Sequence, residues 1–525
     1  MGTGGVSVKP SILGARGPCS GAPFAALLLA AALCVSGCTL TPKPMTADER
    51  ADEALKDLTE VYADQEPLRG PLTLNDAFAR ALKYNLDARS KMMEEMLAQN
   101  DLDLTRLDML PRAGVNGART TRDVVDASSS RSVLTNQQSL EPSTSSDVNR
   151  KSADLTLSWN VLDFGVSYLA ARQQADRQLI AQEQRRRVVQ LLMADVRRAF
   201  WRAASAQQLS KKVNDAIKAA EAALPSARKA ESEALRSPIE SLRYQKLLLD
   251  LLRQLESVER LLETSKTELA ALINLPAGQR FTIAVPRSKG LDSVPMRVRE
   301  MEEVALLLNP DIREMSYQRR ISVEESRKAL LRLLPGVSFS YGSNYDSNSY
   351  LVHDHWTSGA VRVTGYINNV IQAPFQFKRA ENAEALADAR RKAISVAVLA
   401  KLHIAYAQYL SAAREYRWSN QLADVDLRLY EQIGNRASSD VQSELERISA
   451  QVSAVNSELR RDQSYAEAQA ALGRIYATMG LDPIADVSTE LTVKELSGEI
   501  AKSMRDWRKV RARALLTSAD APAAQ

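Results

Sequence analysis

Apolar and polar residues alternate strictly from Leu155 to Val161, where Leu155, Leu157, Trp159 and Val161 are separated by Thr156, Ser158 and Asn160. A period of two predicts a β-strand with one apolar and one polar face. The period then changes. Beyond Ser167 more than fifty residues pass without Pro or Gly, and Val189, Leu192, Val196, Ala199, Ala203, Ala206, Val213 and Ile217 follow helical spacing. A strand feeding so long a helix predicts a barrel mounted on a helical shaft.

Upstream, Leu74, Ala77, Phe78, Ala81, Leu82, Met92, Met96, Leu104 and Leu107 predict a single helix over 74–110, with Thr73 before it and Pro111 after it. Residues 113–125 alternate weakly, the Ser-rich stretch 126–154 reads as a long exposed loop, and 155–162 completes a hairpin. The same order then returns. Asn85, Asp87, Arg89 and Pro111 match Asn309, Asp311, Arg313 and Pro335 at a shift of 224 residues; Arg185, Ala199, Ser205 and Ala206 match Arg391, Ala405, Ser411 and Ala412 at a shift of 206. Val337, Phe339 and Tyr341 alternate with Ser338, Ser340 and Gly342, Val361 and Val363 alternate with Arg362 and Thr364, and a long helix is expected from about Phe375 to Ile433. After the first long helix, Leu248, Leu251, Leu255, Val258, Leu262, Ser265, Leu269 and Leu272 occupy the a and d positions of one heptad frame, which predicts coiled-coil packing against the alanine stripe before it.

The expected fold class is mainly α with a small β part: a duplicated unit of helix, strand, strand, long helix and shorter helix. Its boundaries fall at 73–290 (strands near 113–125 and 155–162) and 291–493 (strands near 337–346 and 359–367). Residues 494–525 are expected to give an equatorial surface helix and a disordered tail.

Composition agrees with long packed helices. Aromatic residues make up 5% of the 525, and hydrophobic residues 45%. A net charge of +5 is small for this length and no dense basic block accompanies it, so nucleic acid is not an expected partner. At the amino terminus Lys9 and Arg16 precede an apolar run from Ala22 to Val35, which reads as a signal peptide over 1–37. The run ends in Val35, Ser36, Gly37 and Cys38, and this resembles the bacterial lipobox. The resemblance implies cleavage before Cys38, acylation of Cys38 as the lipid attachment point, and release toward the outer membrane, since Thr39 rather than Asp follows. Residues 38–72 read as a lipid-anchored tether. Cys19 and Cys34 would leave with the signal, so no disulfide is expected.

Two-faced strands in a lipoprotein suit a membrane barrel, because an open sheet edge in lipid leaves backbone groups unpaired. One chain supplies four strands, too few to close, and three copies would supply twelve around a water-filled lumen. With its duplicated layout, the strand-to-helix stretch Ser158 to Gly165 and the turn between the last two long helices, the chain resembles the TolC-like outer-membrane efflux and secretion ducts over nearly all of 38–525. The resemblance implies a homotrimer in which a 12-stranded β-barrel stands on a long α-helical periplasmic barrel. It further implies passive export in a tripartite efflux or type I secretion system, with a periplasmic adaptor, an inner-membrane pump and outer-membrane lipid as partners. Gly434, Arg436, Asp440 and Val441 match the family's second periplasmic tip, where the gate lies, although Ser443 stands in place of a second Asp. Ser237, Pro238 and Glu240 occupy the first tip without the usual Gly. The segment from Ile367 to Phe377 departs from the family's Gly-rich form.

No cofactor, metal or enzymatic activity is expected. Only three His are present, no P-loop or dinucleotide turn occurs, and no nucleophile has a base. His353 and His355 flank Asp354 in a loop without further ligands, His403 reads as a packing residue, and Glu302, Glu303, Glu324 and Glu325 as helix surface. The alternative to a duct is a non-conducting periplasmic coiled-coil adaptor or scaffold, which would not need two-faced strands.

Overall fold

The computed structural model describes residues 42–63, 65–233, 237–276, 278–285, 290–291, 294, 296–436, 441–483 and 491–507. The chain divides into two compact units at Asp64 and Gln65. In the first, Ala47–Glu60 forms helix α1 where the sequence suggested only a tether. Thr46 and Glu49 explain it. The Thr46 hydroxyl accepts the Glu49 N–H at 3.2 Å and the Glu49 carboxylate accepts the Thr46 N–H at 2.8 Å, so two of the helix's free amides are satisfied.

The second unit begins with residues tied to the body rather than loose. Leu72 is buried and forms a parallel bridge with Ile283, its N–H donating to Thr282 O at 2.8 Å. Helices α2 (Leu74–Tyr84) and α3 (Leu86–Leu107) follow. The one helix expected over 74–110 is therefore two, although its apolar spacing runs on through the break. Asn85 makes the break: its backbone is extended (ψ 126°), and its side-chain Oδ1 accepts the Ala88 N–H at 3.1 Å.

Strands β1 (Arg112–Thr121), β2 (Ala127–Ser128), β3 (Ser143–Thr144) and β4 (Asn149–Asn160) come next. Helix α4 runs for 72 residues from Val161 to Ser232, about 110 Å at 1.5 Å per residue. It is followed by α5 (Pro238–Leu272), α6 (Val298–Leu308), α7 (Pro310–Leu331), β5 (Gly336–Asp346), β6 (His355–Thr364), α8 (Ile367–Arg436), α9 (Val441–Met479) and α10 (Val493–Trp507). Helix–helix packing orders the layer α3, α4, α7, α8 toward the strands and α5, α4, α9, α8 away from them, so α4 and α8 run through both.

The expected seam between α5 and the alanine stripe is present. Leu248, Leu255, Val258, Leu262, Ser265 and Leu269 are buried, and Ala206, Val213, Ala216, Ala220, Ala223 and Ala227 of α4 face the same core with Ile448, Val452 and Val455 of α9. Small residues on α4 let the three axes approach closely. Beside this layer, Phe78 of α2 and Leu496 and Ile500 of α10 share a second core with Val196, Phe200 and Ala203 of α4. Trp507 lies against the Tyr476 ring at 5.4 Å. Residues 508–525 lie outside the described part.

Candidate duct wall and helical tips

Four strands form one antiparallel sheet in the order β1-β4-β5-β6, so the two halves of the chain meet at the β4–β5 ladder and β1 and β6 are left as edges. The register decides which side chains share a face. Leu155 lies opposite Val115, Leu157 opposite Tyr341, Trp159 opposite Phe339, and Phe339 opposite Val361. Every one of these is exposed, Val115 to 79% and Val361 to 66%. The Trp159 ring stacks on Phe339 at 6.4 Å and meets Phe164 edge-on at 5.8 Å, an aromatic group at the end where strand becomes helix.

The other face is polar. Asn160 pairs with Ser338, Ser158 with Ser340, Ser338 with Arg362, and Gly336 with Thr364, so the polar residues expected to share one face do so. Asn116 Nδ2 donates to Asp154 at 2.9 Å, Asn344 Nδ2 to the Ser358 hydroxyl at 3.0 Å, and Arg150 pairs with Asp346 at 2.8 Å. A single open-edged sheet with one wet and one greasy face is incomplete on its own: its apolar face calls for lipid and its edges for further strands.

Strand passes to helix without a spacer. The Asn160 side chain accepts the N–H groups of Leu162 and Asp163, so α4 starts at the residue after β4 rather than beyond Ser167. Likewise α8 begins at Ile367, not Phe375, and Asn369 Nδ2 donates to Arg332 O at 3.1 Å at the end of α7. Two strands also reach further than alternation suggested, β4 back to Asn149 and β6 back to His355, because there polar residues such as Asn149, Lys151, His355 and Thr357 stand on the apolar face and hide the period. The expected loop 126–154 holds the short β2–β3 pair.

Below the sheet, α4 and α7 are joined by charged side chains. Glu183 is buried between Arg186 and Arg313, the latter at 3.0 Å, and burial pushes its carboxyl above the usual range against the pull of both guanidinium groups. Arg186 also reaches Asp482 at 2.7 Å, and Asp176 pairs with Arg320. Glu324, read as helix surface, is buried and pairs with Arg172 and Arg327, each at 3.1 Å. Asp311 receives Arg187 at 2.8 Å and Lys401 at 3.2 Å; burial pushes its carboxyl up, but these two donors outweigh it and hold it below its ordinary value. His403, read as a packing residue, is exposed and bonds Glu302 at 2.7 Å. His355 bonds Asp354 at 2.9 Å. No short-range sequence signal marks the seam, since the α4 and α7 partners are more than a hundred residues apart.

The candidate tip residues lie at helix ends. Gly434 and Arg436 close α8, and Val441 opens α9. Asp440, with 437–439, lies outside the described residues. Ser237 is the N-cap of α5, without a side-chain cap bond, Pro238 is its first residue, and Glu240 sits in its first turn. Leu445 and Ile448 of α9 share a core with Ala223 and Ala227 of α4 and Leu248 of α5, which puts the end of α4 and the starts of α5 and α9 at the same end of the layer.

Among solved structures, the chain is similar to the CmeC outer membrane channel of Campylobacter jejuni, with a TM-score of 0.59 and 13% identity over 85% of this chain and 95% of that one. It is similar to the outer membrane protein VceC of Vibrio cholerae (TM-score 0.57, 13% identity, 78% and 96% covered) and to the open MtrE outer membrane channel of Neisseria gonorrhoeae (0.56, 16%, 76% and 88%). No protein-family model and no curated protein sequence matches the chain. The strand-on-helix layout and these likenesses agree: the chain has the fold of the TolC-like outer-membrane channels.

Proposed function

We propose that the protein is an export duct of the outer membrane, carrying substrate passively from an inner-membrane pump and a periplasmic adaptor to the exterior. The observation that supports this best is the open-edged, two-faced sheet set directly on α4 and α8. Three copies would join β6 of one to β1 of the next and close twelve strands, with the face of Ser158, Ser340 and Arg362 toward water and that of Leu157, Phe339 and Val361 toward lipid. The helices would continue the passage through the periplasm. Asp195, Arg198, Arg202, Glu268, Arg460 and Glu467 line an open hollow of about 840 Å³ on the helical layer, a charged wall that suits a passage. In this reading the two halves are duplicated structural repeats, Cys38 carries the lipid anchor, and Gly434, Arg436, Asp440 and Val441, with Ser237, Pro238 and Glu240, form the periplasmic tip. The chain is then no enzyme.

Light scattering on the detergent-solubilised protein, followed by conductance in planar bilayers, tests this. A trimer that forms water-filled pores is expected. A stable monomer that retains its strands and gives no conductance would overturn the duct in favour of a scaffold.

A further inference from the structure

On the apolar face of the sheet, one cross-strand pair is out of keeping with the rest. Successive rows on that face, moving away from the helices, are Trp159 with Phe339, then Ala113 with Leu157 and Tyr341, then Val115 with Leu155 and Ser343, then Gly117 with Ala153 and Tyr345. The next row is Arg119 opposite Lys151. Lys151 lies four residues before Leu155, about 13 Å along the strand, so the two cations stand just past the apolar band. Beneath them, the Tyr345 ring packs on His355 at 4.8 Å, an aromatic pair where such a band ordinarily ends.

Like charges directly opposed across a ladder repel, and a sheet gains nothing from holding them there. The wet face of the same strands treats its charge differently: Arg150, the neighbour of Lys151, is neutralised by Asp346 at 2.8 Å. Arg119 and Lys151 are both exposed and form no ion pair among the described residues. A fork of guanidinium donors beside an ammonium, at the rim of a lipid-facing band, fits an anion with several acceptor oxygens.

We propose that Arg119 and Lys151 together bind the phosphate of an anionic lipid headgroup in the outer leaflet. The inference rests on the duct reading, which puts this face in lipid and this end away from the periplasm. Binding relieves the Arg119–Lys151 repulsion and ties β1, an edge strand, to β4 at the level where the wall leaves the hydrocarbon.

The test uses the full-length protein, delipidated in neutral detergent and titrated with a fluorescent bis-phosphorylated diglucosamine glycolipid and with the same glycolipid lacking both phosphates. At roughly one kcal/mol for each basic residue near a lipid headgroup, two give a preference of ~30-fold for the phosphorylated form. The variant Arg119→Gln/Lys151→Gln should lose that preference. Arg112→Gln/Arg362→Gln, which removes the same charge from the wet face, should keep it. Equal binding of both glycolipids to the parent protein would overturn the inference, as would an unchanged preference in the first variant or an equal loss in the second. Full displacement by millimolar inorganic phosphate would also overturn it, leaving a site for free phosphate. Conductance in bilayers of neutral lipid separates the two readings. Pores without a phosphate preference sink the lipid site alone, whereas a parent protein that forms no pores removes the duct beneath it.

Discussion

Asn85 and Asn309 perform the same two tasks at matching points of the chain. Asn85 Oδ1 caps α3 by accepting the Ala88 N–H at 3.1 Å while its Nδ2 donates to Leu272 O, also at 3.1 Å, in the last turn of α5. Asn309 Oδ1 caps α7 by accepting the N–H groups of Asp311 and Ile312 while its Nδ2 donates to Thr478 O at 2.8 Å in the last turn of α9. One carboxamide thus starts one helix and finishes another. Replacing either with Ala removes a cap and strands a carbonyl, so each variant should lose about 2–3 kcal/mol. Urea unfolding followed by circular dichroism reads this, and a loss below about 0.5 kcal/mol in both would show that the bonds are dispensable.

The two faces of β4 make unequal demands. Leu157→Arg places a cation on the apolar face and should cost about 2–4 kcal/mol of membrane stability, whereas Thr156→Arg, one residue away on the wet face, should cost little. Heat-resistant oligomer recovered from membranes reports the difference. Equal recovery of the two variants would mean that the sheet's apolar face does not meet lipid.

Asp311 ties α7 to α4 and α8 through Arg187 and Lys401. Its folded carboxyl titrates below its ordinary value, so its stabilising effect is complete above the unfolded carboxylate pKa and is lost as pH falls through the lowered folded value. Asp311→Asn should therefore lose about 1–3 kcal/mol at neutral pH, and the gap to the parent protein should close in acid. Glu183 carries the opposite sign, being raised. A gap that persists unchanged to pH 3 would remove charge as the reason for the loss.

At the second tip, Asp440 from three copies would form a ring of carboxylates near the axis, attractive to cations. Asparagine caps a helix nearly as well as aspartate but carries no charge, so Asp440→Asn should keep the trimer and weaken its cation preference. Unaltered ion selectivity and unaltered block by multivalent cations would reduce Asp440 to a helix cap.

If Val35 to Cys38 act as a lipobox, Cys38→Ser should abolish acyl labelling and leave the precursor poorly processed. A variant of normal mature size with normal lipid labelling would remove the anchor.

Local periodicity made much of this fold legible. The alternation around Leu157 and Phe339 and the heptads of α5 each report a contact that repeats along one element, and the matched Asn and Pro residues report a unit that repeats along the chain. What escaped depends on partners remote in sequence or on a single side chain. Asn85 breaks a helix whose apolar spacing is continuous, and the pair Thr46 and Glu49 builds one in a stretch read as a tether. Glu183 and Glu324 look like solvated helix surface until α7 is packed against α4. The tip residues are proposed by resemblance alone, since nothing in their spacing dictates an ion path.

The β4–β5 ladder has a consequence for biogenesis. Ser152 pairs with Asp346 across the whole of α4 and α5, so the centre of the sheet cannot zip until the second half of the polypeptide has been made. The α4–α5 hairpin, whose partners are closer in sequence, can condense early, whereas pairings of such long sequence separation are slow. The nascent protein therefore passes through a stage with the α4–α5 hairpin formed and the β4–β5 ladder unzipped. That delay suits a chain whose greasy sheet face has no partner until it arrives at a bilayer.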